Sequence, residues 1–174
     1  MRKLKILRQN ADAVVCDHRL TPRNYAAFQG AEAVSALYDI GFPAILVTAW
    51  STQDVDNIRP FRRKIPVIIQ SGNLDSQTLM EFIMQCQNEF DNNFVKERQP
   101  WRVMIRIQEV DASYAFAVIP SWDPRVELRL PLSIFPAHCG RIVQGTRLFA
   151  EVNIGASKTE DLYFDNFEVA EKPK

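Results

Sequence analysis

Several ingredients of common functional sites are scarce in this chain of 174 residues. Its six glycines are scattered singly, which excludes a P-loop and a dinucleotide-binding fingerprint. Its three cysteines, an odd number, fit free thiols in a reducing compartment rather than a disulfide framework. No apolar run approaches membrane-spanning length, and the charged start lacks the apolar core of a signal peptide. We therefore expect a cytoplasmic protein with no membrane partner.

A net charge is also lacking, because 21 basic and 21 acidic side chains cancel. Nothing therefore favours long-range capture of nucleic acid or of an acidic membrane. Local basic clusters do occur, at Arg2, Lys3, Lys5 and Arg8 and again at Arg59, Arg62, Arg63 and Lys64. Only one aromatic residue, Phe61, interleaves with them, which is too few to stack successive bases, so we do not predict a nucleic-acid partner.

Two short apolar runs each end in a polar residue. Residues 13–16 are followed by Asp17, and residues 44–47 are followed by Thr48. Apolar runs without alternation are typical of strands covered on both faces by helices, which predicts a parallel sheet. Because ligands collect at the carboxyl ends of such strands, Asp17 and Thr48 are predicted to share one functional edge.

The rest of the first half continues as alternating strands and helices. Residues 31–38 have helical spacing, and Gly41 is placed to end that helix in a left-handed conformation. Residues 51–57 are suited to a short helix, and residues 65–69 form a third apolar strand. A further helix is predicted to begin at Asp75, with an apolar stripe of Leu79, Phe82, Ile83, Cys86 and Phe90.

Residues 11–90 resemble the receiver domain of bacterial two-component response regulators, entered at its third strand. The motifs are Cys16-Asp17-His18-Arg19-Leu20-Thr21-Pro22 and Val47-Thr48-Ala49. The resemblance implies a partial flavodoxin-like sheet in which Asp17 is the phosphoacceptor and Thr48 the switch residue. It also implies that the family's lysine falls at Gln70.

The chain departs from that family in ways that bear on chemistry. The acidic pair that holds Mg²⁺ has no counterpart, the lysine is replaced by Gln70, and the loop before Gly30 is longer. Phosphoryl transfer to a carboxylate depends on a divalent ion and a cation. We therefore predict a noncatalytic regulatory or adaptor protein of signal transduction that keeps a degenerate receiver as an interaction scaffold.

Two other interpretations of Asp17 remain open. In the first, Asp17 still accepts phosphate, using Mg²⁺ ligands supplied by another chain or by a missing amino-terminal half. In the second, its carboxylate only caps the turn that follows it. The second interpretation gives Asp17 a structural role and no chemistry.

The periodicity changes to two after a polar linker, which we place at residues 93–100 between domains 1–92 and 101–174. Apolar and polar residues alternate from Trp101, and turn signals separate five or six short strands. We predict that residues 101–174 form a small antiparallel barrel or sandwich. The acidic and aromatic residues 160–168 are predicted to form an edge strand, with a docking edge for a basic partner as the alternative.

The histidines and cysteines raise the alternatives of a zinc site and an enzyme site. Two cysteines and two histidines make a permitted zinc set: Cys16, His18, His138 and Cys139. Their spacing does not match zinc motifs and the two pairs belong to different domains, so we predict no metal and no cofactor. No glycine elbow or third orienting residue accompanies them, so we predict no enzyme either.

A parallel sheet that lacks its first half exposes an apolar edge strand. Such an edge requires a partner, so we expect self-association or a protein that completes the sheet. Residues 1–10, which include Leu4, Ile6 and Leu7, are an alternative cover for part of that gap.

Overall fold

The computed structural model describes residues 11–20, 27–49, 52–70 and 75–170 and divides into two units, Met1–Val95 and Lys96–Lys174. The first unit contains a parallel sheet of order β1-β2-β3. The strands are β1 (Val14–Asp17), β2 (Ala44–Thr48) and β3 (Val67–Gln70). The helices are α1 (Gly30–Tyr38), α2 (Thr52–Ile58) and α3 (Ser76–Phe90). The predicted α/β organisation with a parallel sheet is confirmed; the residues 1–10 expected to cover its edge lie outside the described ranges.

Helices cover both faces of β2, which explains its continuous apolar run. Ala44 and Leu46 belong to a buried cluster with Val34 and Leu37 of α1. Ile45 points to the opposite face, where it packs in a second cluster that includes Cys86, Leu79, Phe82, Ile83 and Phe90 of α3. Ala44, Ile45 and Leu46 therefore all meet apolar neighbours, as a strand with helices on both faces of its sheet requires.

The predicted helix boundaries are confirmed by their capping geometry. Gly41, three residues after α1, has φ +64°, a left-handed conformation that glycine adopts without strain. The Asp75 carboxylate accepts hydrogen bonds from the backbone N–H groups of Gln77 at 3.0 Å and Thr78 at 2.9 Å. It is thus the N-cap of α3.

The second unit is a five-stranded antiparallel sheet of order β6-β5-β4-β7-β8. The strands are β4 (Trp101–Val110), β5 (Tyr114–Ile119), β6 (Asp123–Pro131), β7 (Arg147–Val152) and β8 (Phe164–Val169). Alternate residues such as Val103, Ile105 and Ile107 are buried on one face. The predicted antiparallel domain is confirmed.

The expected closed barrel is wrong, and so is the sandwich. The edge strands β6 and β8 do not pair with each other, and the described part of this unit has one sheet. Loops and short 3₁₀ turns between the strands fill the core instead of further strands. Their buried contributors include Cys139, Ile142, Ala156 and Leu162.

The stretch predicted as a linker contains the boundary between the units. Lys96–Arg98 is a 3₁₀ turn, and its main chain is tied to the second unit. The Tyr163 hydroxyl donates to the Arg98 carbonyl at 2.6 Å, and the Asn153 amide donates to the Glu97 carbonyl at 2.9 Å. Within the described ranges, no helix combines the length and the apolarity needed to cross a membrane.

Candidate functional site

The carboxyl edge of the parallel sheet carries the residues singled out in the sequence. Asp17, Thr48 and Gln70 are the last residues of β1, β2 and β3. Thr48 pairs with Gln70, and Asp17 pairs with Val47, one residue earlier on β2. Asp17 and Gln70 are exposed, whereas Thr48 is 1% exposed. The three strands therefore end at the same edge, with Asp17 on the sheet face that Val47 occupies and with Thr48 and Gln70 on the opposite face.

The Asp17 carboxylate hydrogen-bonds to the backbone of the turn that follows it. Its Oδ1 atom accepts a hydrogen bond from the backbone N–H of Arg19 at 3.1 Å, which is the capping geometry of an Asx turn. The thiol of Cys16 lies just before it on β1. Burial, and then the charge of Asp17, raise the pKa of Cys16, so this thiol is protonated and unreactive at neutral pH.

Asp54, in the first turn of α2, is the centre of the polar network at this edge. The residue is 4% exposed. The Arg19 Nη2 atom lies 3.1 Å from Asp54 Oδ2, and the Thr48 hydroxyl donates to the same oxygen at 3.2 Å. A buried carboxylate requires such donors, because leaving it unpaired is costly. Asp54 thus binds both the guanidinium of Arg19, two residues after Asp17, and the hydroxyl of Thr48.

His18 adds a buried imidazole to the network. It is 1% exposed, and its Nε2 atom lies 4.0 Å from Asp54 Oδ1. Its Nδ1 atom has no hydrogen-bond partner among the residues that the structure describes. Burial lowers the pKa of His18 and outweighs the opposing effect of the Asp54 charge. The imidazole is therefore neutral at physiological pH.

Close approach of α1 fixes the backbone beneath these side chains. The His18 N–H donates to the Val47 carbonyl at 2.8 Å, and the His18 carbonyl accepts from the Gly30 N–H at 3.0 Å. A Cβ atom on Gly30 would lie 2.1 Å from the carbonyl oxygen of Asp17. Only glycine lets the first turn of α1 pack this closely against the end of β1.

The metal alternatives find no support at this edge. In the described ranges, no group of three histidine, cysteine or acidic side chains lies close enough to hold a metal ion. Cys16 and His18 belong to the first unit, whereas His138 and Cys139 belong to the second. His138 Nε2 lies 2.8 Å from the carbonyl oxygen of Phe167, so it is engaged within its own unit.

Sequence reasoning identified the edge and missed Asp54, which organises it. The available signal was an acidic residue in the first turn after β2, where it also suits the helix dipole. Its contact with Arg19 spans 35 positions in the sequence and follows no local pattern. No family model and no curated protein sequence matches this chain, so its function is inferred from these residues.

Proposed function

We propose that this protein is a noncatalytic regulatory or adaptor protein of signal transduction, built on a partial, receiver-like scaffold and a β unit that serves protein interaction. The observation that carries the proposal is the engagement of Asp54 with Arg19 and Thr48. In a working receiver, as the resemblance implies, the residue at Thr48 responds to phosphorylation at Asp17. Here its hydroxyl is already bound to a buried carboxylate.

The energetic balance supports a fixed orientation of the Thr48 side chain. Hydrogen bonds to charged groups contribute roughly 1.5–3 kcal/mol each, so turning Thr48 away from Asp54 is unfavourable. The side chain at the position of the family's lysine is Gln70, which carries no charge to attract a phosphoryl group. Arg19, whose side chain is 48% exposed, is held by Asp54. Nothing at the described edge therefore compensates the charge of a phosphorylated Asp17.

The strand order is also compatible with a receiver-like origin. In flavodoxin-like sheets the last three strands are neighbours in chain order, as β1, β2 and β3 are here. On this interpretation β1 occupies the place of the third strand, and the two strands expected beyond it have no counterpart among the described residues. The outer edge of β1 is then the part of the unit that requires a partner.

The backbone of β1 offers donors at that edge. The N–H groups of Val14 and His18 bond to β2 and the residue before it. Donors alternate along a strand, so the N–H groups of Val15 and Asp17 point to the opposite side, where no described strand pairs. Val15 is also 44% exposed. A partner protein, or a second copy, adds a strand here and completes the sheet.

Substitution Val15→Pro tests this edge, because it removes one outward N–H and leaves the bonds to β2 intact. We expect the partner-bound or self-associated form to be lost in sedimentation analysis, while Val15→Ala retains it. Association that persists in Val15→Pro would place the partner elsewhere.

Phosphodonor labelling tests the proposal as a whole. The purified chain is incubated with acetyl phosphate and Mg²⁺ and its intact mass is measured, beside an Asp17→Asn control. We expect no phosphorylated species in either protein. A phosphorylated species that disappears in Asp17→Asn would overturn the noncatalytic assignment.

That outcome would favour the second candidate, a phosphoacceptor response regulator. The observation in its favour is that the Asp17 carboxylate is exposed at the carboxyl edge of the parallel sheet, where the phosphoacceptor of a receiver lies. It would need Mg²⁺ ligands from another chain or from a longer natural product. Labelling that requires Mg²⁺ and increases in Asp54→Asn, which releases Arg19 and Thr48, would identify this mechanism.

A further inference from the structure

A cavity of about 650 Å³ lies at the end of β4 in the second unit. Residues 109–112, which end β4 and begin the turn to β5, form one side of it, and the loop of residues 140–144 before β7 forms the other. Pockets of about 300–1,000 Å³ are typical of binding sites. All of its lining residues belong to the second unit, so the cavity is separate from the β1 edge of the first unit.

The inner part of the lining is apolar. Ile142 belongs to the buried core of the unit, and Val110, Leu132 and Phe135 pack against that core. At the opening, Val143 is 46% exposed. An apolar side chain that enters the cavity is therefore shielded from water by side chains that the fold already holds in place.

The strand β7 does not reach the end of β4. Ile107 still bonds to the segment before β7, since its N–H donates to the Thr146 carbonyl and its carbonyl accepts from the Gly145 N–H, both at 2.9 Å. Residues 143–146 then form a turn: the Thr146 N–H donates to the Val143 carbonyl at 3.1 Å, and the Val143 N–H donates to the Thr146 hydroxyl at 3.1 Å. The backbone of Val143 is thus used within this turn and not for pairing with β4.

Val110 therefore has no strand partner on that side. The Asp111 N–H donates to the Tyr114 carbonyl at 2.9 Å, so the backbone groups of Asp111 face β5. Backbone groups alternate in direction along an antiparallel strand, so the N–H and C=O of Val110 face away from β5. Neither group has a hydrogen-bond partner among the residues that the structure describes. A strand edge of this kind, beside an apolar cavity, offers what an added peptide strand requires.

We propose that the cavity binds an extended peptide segment of a partner protein, which pairs with the end of β4 where β7 stops. This inference rests on the proposed function and gives the β unit a specific docking site. The peptide residue opposite Val110, here called the anchor, exchanges backbone hydrogen bonds with it in an antiparallel arrangement. Directly opposed side chains share a face, so the anchor side chain enters the apolar part of the lining. The anchor is therefore an apolar residue.

The charges of the lining determine the residue that follows the anchor. Its charged members are Glu109, Asp111 and Arg141, so the net charge is negative. Asp111 is engaged by the N–H groups of Ser113 and Tyr114, both at 2.7 Å. Glu109 is exposed and has no hydrogen-bond or ion-pair partner for its side chain among the described residues. In an antiparallel segment the residue after the anchor lies opposite Glu109, so we expect lysine or arginine there. A nucleic acid fits less well, since the two acids repel phosphates.

A set of blocked peptides tests this assignment. The probe is an acetylated and amidated heptapeptide of threonines, which favour extended backbone, with a central leucine followed by lysine. Three further peptides replace the leucine by serine, replace the lysine by glutamate, or carry a methyl group on the leucine backbone nitrogen. Each is titrated to about 5 mM into the isotope-labelled full chain and followed by NMR. We expect the probe to shift the amide signals of Val110 and Val143. The serine and N-methyl peptides should bind at least about tenfold more weakly, and the glutamate peptide at least about threefold more weakly.

Variants of the chain test the same contacts from the other side. Glu109→Lys should reverse the preference, so that the glutamate peptide binds better than the lysine peptide. Glu127→Lys on β6 is the matched control, an exposed charge reversal outside the lining, and it should keep the preference for lysine. Val110→Pro removes the outward N–H and should abolish binding, whereas Val110→Ala retains it. If Val110→Pro does not fold, the N-methyl peptide makes the corresponding test without a change in the protein.

A probe that does not bind, or a preference for lysine that survives Glu109→Lys, would overturn the proposal. An N-methyl peptide that binds as well as the probe would also overturn it, because the cavity would then take an apolar group without adding a strand. Phosphodonor labelling is measured independently of these titrations. A chain that is not phosphorylated and binds no peptide loses this docking site only, whereas labelling that disappears in Asp17→Asn overturns the proposed function.

Discussion

Replacing Gly30 by alanine should separate α1 from the end of β1 that carries the candidate site. The added Cβ would lie 2.1 Å from the Asp17 carbonyl oxygen and 2.8 Å from both the Asp17 carbonyl carbon and the His18 Cα. All three are backbone atoms, so no side chain can rotate away. The first turn of α1 must move, and the hydrogen bond from Gly30 to the His18 carbonyl, 3.0 Å long, is stretched.

The expected loss of stability follows from three terms. Overpacking costs about 1–3 kcal/mol, and the stretched hydrogen bond adds about 1 kcal/mol. Alanine also lowers the conformational entropy of the unfolded chain, which stabilises the folded state by about 0.4–1 kcal/mol. The net loss for the first unit is therefore roughly 1–3 kcal/mol. For a domain of this size, that lowers the melting temperature by roughly 5–20 °C.

Thermal unfolding followed by circular dichroism measures the effect, with Gly41→Ala as the comparison. Gly41 has φ +64°, and a Cβ added there would have no atom within 4 Å, so alanine meets only conformational strain of about 1–2 kcal/mol. We expect both variants to lose stability, and only Gly30→Ala to change the environment of His18 in NMR spectra. A Gly30→Ala protein that melts at or above the wild-type temperature would refute the close approach of α1 and β1.

Three further predictions concern the same unit. Asp54→Ala should lower the urea midpoint by an amount equivalent to about 1–3 kcal/mol, since it removes the acceptor of Arg19 and Thr48; an unchanged midpoint would contradict the network. Because burial lowers the pKa of His18, the imidazole is protonated at a higher pH in the unfolded chain than in the folded protein. The free energy of unfolding should therefore fall as the pH drops below the ordinary histidine pKa of about 6.5. His18→Gln should flatten the stability profile in that window, and an equally steep profile would argue against a neutral, buried imidazole. Hydrogen bonds from Thr78, and then Gln77, lower the pKa of Asp75 in the folded protein. The ionised carboxylate therefore stabilises the fold at pH values above the ordinary aspartate pKa, and this contribution is lost as the pH falls through the lowered pKa. The melting temperatures of wild type and Asp75→Ala should therefore differ at neutral pH and converge in acid, and a constant difference would count against this N-cap.

Local patterns predicted most of the elements. The apolar run at residues 44–47 predicted a strand buried on both faces, because each of its residues must meet an apolar layer. Asp75 and Gly41 predicted helix boundaries through the hydrogen bonds and the φ value required at those positions. In the second unit, alternation with period two predicted β4 and β7. Each of these signals acts between residues close in sequence.

The error in the second unit has a physical cause. Period two identifies strands and the face that each buries, and it carries no information about whether the edge strands pair. Closing the sheet would require β6 and β8 to meet, and the residues between the strands fill the core instead. Barrel and open sheet therefore share one sequence pattern.

The candidate site likewise has one part that local sequence predicted and another that only tertiary packing decided. Parallel strands end at one edge, so the position of Asp17 and Thr48 at a common edge followed from the order of apolar runs. Asp54 did not follow, because its contact with Arg19 depends on how α2 packs beside β1. The outward position of Arg147 on β7 likewise depends on strand register, since a shift of one residue would turn its side chain towards the core.

Apolar spacing and capping residues in the sequence were thus enough to specify most of the secondary structure, the parallel sheet and the position of its polar edge. They act through interactions within one or two turns of the chain. The partner of each charged side chain, the open form of the β sheet and the engagement of Thr48 were settled by tertiary packing. These depend on which distant residues meet, and such contacts leave no periodic trace in the sequence.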